Sequence, residues 1–214
     1  MKKLLISIVF VVVSSAASAQ YFELGLRAHP VYSWIKPTSD NMGSDGGRVG
    51  FSYGLVGDFY ISDRYAFSTG LEITSLGGKT REVTGSSDTE LSEYRLQYVE
   101  IPLTLRLQTD KRGAWVYYGL FGLETGLNVK ARADRTILDA SDPGLKTDLS
   151  KLDVKDEITA LRLGLAIGGG AIYDLSGSTR LFGGLTFNNG FTDIYQGNRK
   201  GTTSYISLDV GLFF

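Results

Sequence analysis

From Tyr21 onward, large apolar side chains recur at every second position in runs of about ten residues. Tyr21 to Trp34 sets Phe22, Leu24, Leu26 and Ala28 against Glu23, Gly25, Arg27 and His29. Val49 to Ile61 alternates Val49, Phe51, Tyr53, Leu55, Gly57, Phe59 and Ile61 with Gly50, Ser52, Gly54, Val56, Asp58 and Tyr60. Tyr65 to Ile73 repeats the pattern, and so do the stretches 93–107, 114–129, 158–173, 179–191 and 202–214. A period of two marks a strand with two unlike faces, and a run of about 9–11 residues is the length of a tilted strand that crosses a bilayer. Eight such strands are predicted.

The connections sort into two classes. Short ones fall at Ser62–Arg64, Gln108–Gly113 and Asp174–Ser178, and longer polar ones at Ile35–Arg48, Gly77–Ser92, Lys130–Glu157 and Thr192–Gly201. They alternate strictly, as they do in a membrane barrel with short periplasmic turns and longer outer loops. Aromatic residues gather near the strand ends: Tyr21, Phe22, Tyr32, Trp34, Phe59, Tyr60, Tyr65, Phe67, Trp115, Tyr117, Phe213 and Phe214. Interfacial girdles are placed there. A water-soluble barrel would keep its apolar face inside, and exposing Leu, Phe and Val on most of eight strands to water would exceed the patch a soluble monomer tolerates. The predicted fold is therefore an all-β, eight-stranded antiparallel up-and-down transmembrane β-barrel. Its expected place is the bacterial outer membrane.

The first residues agree. Lys2 and Lys3 precede an apolar stretch, Leu4 to Val13, and Ala17-Ser18-Ala19 is a small-residue cleavage site. Residues 1–19 are expected to be a signal peptide cut between Ala19 and Gln20, leaving 20–214 as the barrel domain. The chain has no cysteine, so no disulfide framework is expected, and its net charge of -1 gives no reason to expect nucleic acid. Glycine spacing in "GLAIGGGAIY" does not fit a dinucleotide loop, and Lys130–Glu157 holds no calcium-loop pattern, so no cofactor or metal is expected. One or two helical turns are expected in "DLSKLDVKDE".

Alternation points Glu23, Arg27, His29, Asp58, Glu72, Glu100, Arg106, Glu124, Arg162 and Asp209 inward. An eight-stranded barrel is narrow enough for side chains to fill, and charges inside it must pair. The expectation is a structural network, with inward glycines such as Gly54, Gly126 and Gly164 making room for long charged side chains. A catalytic alternative would use His29, the sole histidine, with Ser33 on the same face of the strand. No sequence rule supplies a third member or an oxyanion hole for them.

"YVEIPLTLRL", Tyr98 to Leu107, is more specific than alternation. Tyr98, Glu100, Pro102 and Leu103 resemble the signature of the PorT-like family of small outer-membrane β-barrel proteins, while Thr104, Arg106 and Leu107 depart from its usual continuation. The resemblance implies an outer-membrane location and, for PorT itself, a part in a secretion and gliding apparatus. Pro102 lacks a ladder donor, so a local bulge is expected. Glu100 is expected to bond Arg106, Arg162 or Arg27 across the lumen. "YISLDVGLFF" reads as the closing strand, with Asp209 turned towards the arginines and Phe214 resembling an assembly signal.

The expected function is that of a non-enzymatic, monomeric barrel acting through protein contacts in the envelope. Its expected partners are outer-membrane lipid, the barrel-assembly machinery and envelope proteins. Surface recognition through Gly77–Ser92 and Lys130–Glu157 is the alternative, followed by a lipid-modifying enzyme.

Overall fold

The computed structural model describes residues 21–84, 88–142 and 145–214. The expected leader and its Ala19–Gln20 cleavage point lie outside the described residues. Nine strands follow one another: β1 (Tyr21–Pro37), β2 (Met42–Ser62), β3 (Tyr65–Val83), β4 (Thr89–Gln108), β5 (Trp115–Leu138), β6 (Lys146–Asp153), β7 (Leu161–Ser176), β8 (Thr179–Gly190) and β9 (Gly201–Phe213). All but β6 close into a ring of eight, each antiparallel to its neighbours; β4 pairs with β5 and β1 with β9 to seal it. β6 pairs with the far end of β5 alone and stands outside the ring. The short turns and both ends of the described barrel share one rim, here the lower one.

The two faces exchange character partway up the barrel. On β4, Ile101, Leu103, Leu105 and Leu107 face outward at 40–48% exposure, while Glu100, Thr104 and Arg106 are buried inside. Beyond Gln97 the sense reverses: Tyr94 and Leu96 are buried inside, and Glu93 and Arg95 lie partly exposed. β5 does the same, with Leu123 and Leu127 outside and Glu124 inside below, then Ala131 and Ala133 inside and Lys130 and Arg132 outside above. β1 passes from exposed Leu24 and Leu26 to buried Val31 and Ile35. The lower storey thus has a charged lumen, which also encloses an apolar cluster of Val56, Val116, Leu120, Ile172, Phe182 and Phe213, and an apolar exterior; the upper storey has an apolar lumen and a polar exterior. Each face meets what surrounds it: hydrocarbon demands apolar side chains, and water permits charged ones. From Val99 to Leu107, β4 offers nine residues to the lower belt, within the roughly 9–11 that a tilted membrane strand requires.

Several expectations change. Three of the four stretches read as long loops are largely strand, because β2 begins at Met42, β3 runs to Val83, β4 begins at Thr89 and β5 continues to Leu138, whereas Thr192–Gly201 is a connection as expected. Charged residues alternate with Tyr and Leu there, so the belt's hydropathy rule fails while the β geometry persists. "DLSKLDVKDE" supplies most of β6 and a 3-10 turn at Lys155–Glu157 rather than α-helical turns. No bulge forms at Pro102, which stays in register opposite Glu124, while the ladder to β3 skips Gly70 and Leu71. Losing one donor costs one bond and leaves the other edge intact. The β4–β5 register shift falls instead at Gln97/Tyr98, where Val129 and Lys130 are consecutive and both exposed. Two of the aromatic residues expected in the girdles, Tyr60 and Phe213, are fully buried inside.

Candidate functional site

The lower lumen is filled by the predicted charges. Arg106 Nη1 donates to Asp58 Oδ2 at 2.5 Å, and Ser68 Oγ donates to the same carboxylate at 2.6 Å. The Arg106 guanidinium carbon lies 4.9, 5.1 and 5.6 Å from the rings of Tyr118, Phe213 and Phe182, an aromatic cage around the cation. Arg27 Nη2 donates to Glu72 Oε2 at 2.8 Å, and Ser52 Oγ bonds the same oxygen at 3.3 Å. Arg162 Nη1 reaches Glu100 at 3.2 Å and Glu124 at 3.5 Å, and its Nη2 donates to Asn188 Oδ1 at 2.5 Å and to the Thr203 carbonyl at 3.2 Å. Tyr205 donates to Glu124 at 2.5 Å. Glu23 pairs with Arg180 and accepts from the Tyr60 hydroxyl at 3.2 Å.

All ten residues that alternation points inward, His29 among them, face the lumen, and among the three arginines considered for Glu100 the partner is Arg162. Asp209 lies in the lumen as expected, held by hydroxyls rather than by an ion pair. Its partners are the Thr186 and Ser207 hydroxyls at 2.6 and 2.9 Å and His29 Nδ1 at 3.4 Å, with no arginine in ion-pair contact among the described residues. Glycines serve two purposes here. A Cβ on Gly126 would press on Glu100 Cγ at 3.1 Å, as expected of space left for a long side chain. On Gly54 it would meet the Leu71 carbonyl at 2.1 Å, so that glycine admits a neighbouring backbone.

The catalytic pair does not assemble. Ser33 Oγ donates to the Gly77 carbonyl and accepts the Gly77 N–H, both at 2.9 Å, which commits the hydroxyl to the backbone. His29 is buried with its ring nitrogens towards Asp209 and, at 4.0 Å, Glu72.

The upper lumen is closed by two connections that zip across the mouth. Thr159 N–H donates to the Ile194 carbonyl and Gln196 N–H to the Glu157 carbonyl, each at 2.8 Å. Below this lid, Val154, Ile158, Ile194 and Tyr195 pack on Val31, Ile35, Leu76, Tyr94 and Leu96. Burial, with Tyr94 beside it, pushes the Tyr195 hydroxyl well above its ordinary pKa. Above the lid, Arg199 pairs with Glu82 at 2.9 Å and Glu157 at 3.4 Å, and Arg135 donates to Glu157 at 2.5 Å. Burial works against the Arg135 charge, but its bond to Glu157 and the nearby Glu90 hold its pKa above the ordinary value.

Sequence reasoning missed Arg180, Tyr60, Tyr205 and Asn188 in the lower network. Strand parity held the signal for each: Arg180 precedes outward Leu181, and Tyr205 precedes outward Ile206. The lid left no such signal, since Val154 and Ile194 lie in polar stretches without period.

The chain matches no curated protein. Solved structures similar to it include Neisserial surface protein A (12% identity, 89% of this chain and 95% of that one, TM-score 0.47). Others are the outer membrane protein OprG from Pseudomonas aeruginosa (11%, 90% and 95%, TM-score 0.43) and Ail, the attachment invasion locus protein of Yersinia pestis (12%, 90% and 98%, TM-score 0.37). Residues 14–196 match the model of the outer membrane protein beta-barrel domain. The chain belongs to the family of the outer membrane protein beta-barrel domain, and the bilayer crossed by its lower storey is the bacterial outer membrane.

Proposed function

We propose that this barrel acts through protein contacts made by its upper storey, as a monomer, without catalysis and without passing solutes. The observation that carries the reading is a lumen occupied along its length, by ion pairs below and an apolar lid above. A closed lumen removes the pore as the working part and leaves the polar extension. That extension presents β6, whose second edge has no partner strand among the described residues and whose residues other than Leu152 are exposed. An edge of this kind accepts an extended segment of another protein by strand addition. A place in a secretion assembly, suggested by the PorT-like signature at Tyr98, Glu100, Pro102 and Leu103, is one such contact; recognition of a partner outside the cell is the other. In both cases the barrel-assembly machinery delivers the chain to the membrane.

Photo-crosslinking from Asp148 and Lys151 in intact cells tests the reading. The expected result is a reproducible protein adduct from both positions and none from Leu208 in the belt. An envelope-protein adduct together with altered secretion on deletion selects the assembly role. No adduct from either β6 position overturns the proposal.

A further inference from the structure

We infer that the outer surface of β2–β5, just above the apolar belt, is a binding site for the phosphate groups of an outer-leaflet lipid. Arg48, Arg95, Lys130 and Arg132, with Ser75 and Gln97, line one shallow depression of about 280 Å³. Lys79 stands beside it, 4.0 Å from Glu93. Two carboxylates answer these five cations: Glu93 is shared among Arg48 at 3.3 Å, Arg95 at 3.7 Å and Lys79, and Asp134 is taken by Arg95. Lys130 and Arg132 are exposed; among the described residues neither has a carboxylate within ion-pair distance, and Asp153 stands opposite Arg132 across the β5–β6 ladder.

Two features of the backbone concentrate positive charge here. Arg95 and Arg132 are direct cross-strand partners, a placement of like charges that destabilises a sheet. The β4–β5 bulge puts Val129 and Lys130 outward in succession, so the last apolar residue of the belt is followed at once by a cation. Bulges re-aim side chains in this way. On β1, the strand next to β2, Lys36 is instead bonded to Asn189 Oδ1 at 3.3 Å and lies over the Trp34 ring, engaged outside the depression. The five cations of β2–β5 cluster on one arc, at the depth where phosphates sit above acyl chains, and Val99 and Leu127 lie beneath them to receive those chains. Basic residues at a membrane surface hold anionic lipid with an additive contribution from each charge.

The test titrates the detergent-purified full chain with a bis-phosphorylated lipid A, its dephosphorylated form and inorganic pyrophosphate, read by native mass spectrometry. Wild type is expected to retain the phosphorylated lipid in preference to the dephosphorylated one, and pyrophosphate is expected not to displace it. Lys130→Gln with Arg132→Gln should weaken retention about thirty-fold. Lys130→Arg with Arg132→Lys, which keep the charge, should bind as wild type does, and so should Lys36→Gln, since the Lys36 ammonium is held by Asn189 outside the depression. Heat-dependent gel migration verifies that each variant is folded. Unchanged retention in the double Gln variant, an equal loss in Lys36→Gln, equal binding of the dephosphorylated lipid, or displacement by pyrophosphate would overturn the inference.

Discussion

Replacing Arg106 by Met removes a cation from the most enclosed part of the lower lumen. Its side chain and that of Asp58 are 2% and 0% exposed, 2.5 Å apart, with three aromatic rings around the guanidinium. At a charge separation of about 4 Å and an effective dielectric near 20, the pair attracts by about 4 kcal/mol. Desolvation offsets much of that in the intact protein, but it does not help the variant, in which Asp58 stays buried with only Ser68 as a donor. The expected loss is about 3–5 kcal/mol, the usual cost of leaving one member of a buried pair alone. Asp58→Asn combined with Arg106→Met should lose less than the sum of the single variants, with a coupling of about 2–3 kcal/mol. Urea unfolding of the barrel in lipid vesicles, followed by the fluorescence of Trp34 and Trp115, measures both quantities. Additivity within about 0.5 kcal/mol would refute the ion pair as a structural element of the lumen.

Gly54→Ala should block refolding into vesicles, because its Cβ would sit 2.1 Å from the Leu71 carbonyl, whereas Gly119→Ala, with open space around it, should refold normally; heat-dependent migration distinguishes them. Ile194→Ala should cost the upper storey about 2–5 kcal/mol and raise amide exchange at Thr159 and Gln196 without disturbing amides of the belt. Tyr195 has a folded pKa raised above the ordinary 10.0, so the folded state holds its proton more tightly. Its contribution is fully present below the unfolded value and is lost as pH climbs above it. Alkaline titration followed by tyrosinate absorbance and urea midpoint should show that fall in wild type and a flatter profile in Tyr195→Phe.

What the sequence made legible follows from where its two rules hold. In the belt, apolar and polar positions alternate against constant surroundings, so all ring strands and inward charges such as Glu100 and Arg162 could be placed by parity alone. Above Gln97 the exterior becomes aqueous, and Glu93, Tyr94, Arg95 and Leu96 still alternate but in the opposite sense. A reading tuned to lipid-facing strands therefore takes β-structure for loop, and β6, whose side chains are nearly all exposed, carries no burial pattern. The lid depends on contacts between distant connections, Glu157–Thr159 with Ile194–Gln196, and separations of that kind have no local signature. Asp209 shows the limit of parity. Parity gave its direction, but which partners it meets depends on strand stagger, which sets Thr186, Ser207 and His29 beside it.

The reversal of the two faces is the central claim, and a depth scan along β4 measures it most directly. Spin labels placed singly at Leu91, Arg95, Leu103 and Leu105 of the barrel in bilayers would be probed with oxygen, which partitions into hydrocarbon, and with a water-soluble nickel chelate. The account predicts oxygen-dominated relaxation at Leu103 and Leu105, chelate-dominated relaxation at Leu91 and Arg95, and a crossover between Gln97 and Val99. Oxygen-dominated relaxation at Arg95, or chelate access at Leu103, would contradict it.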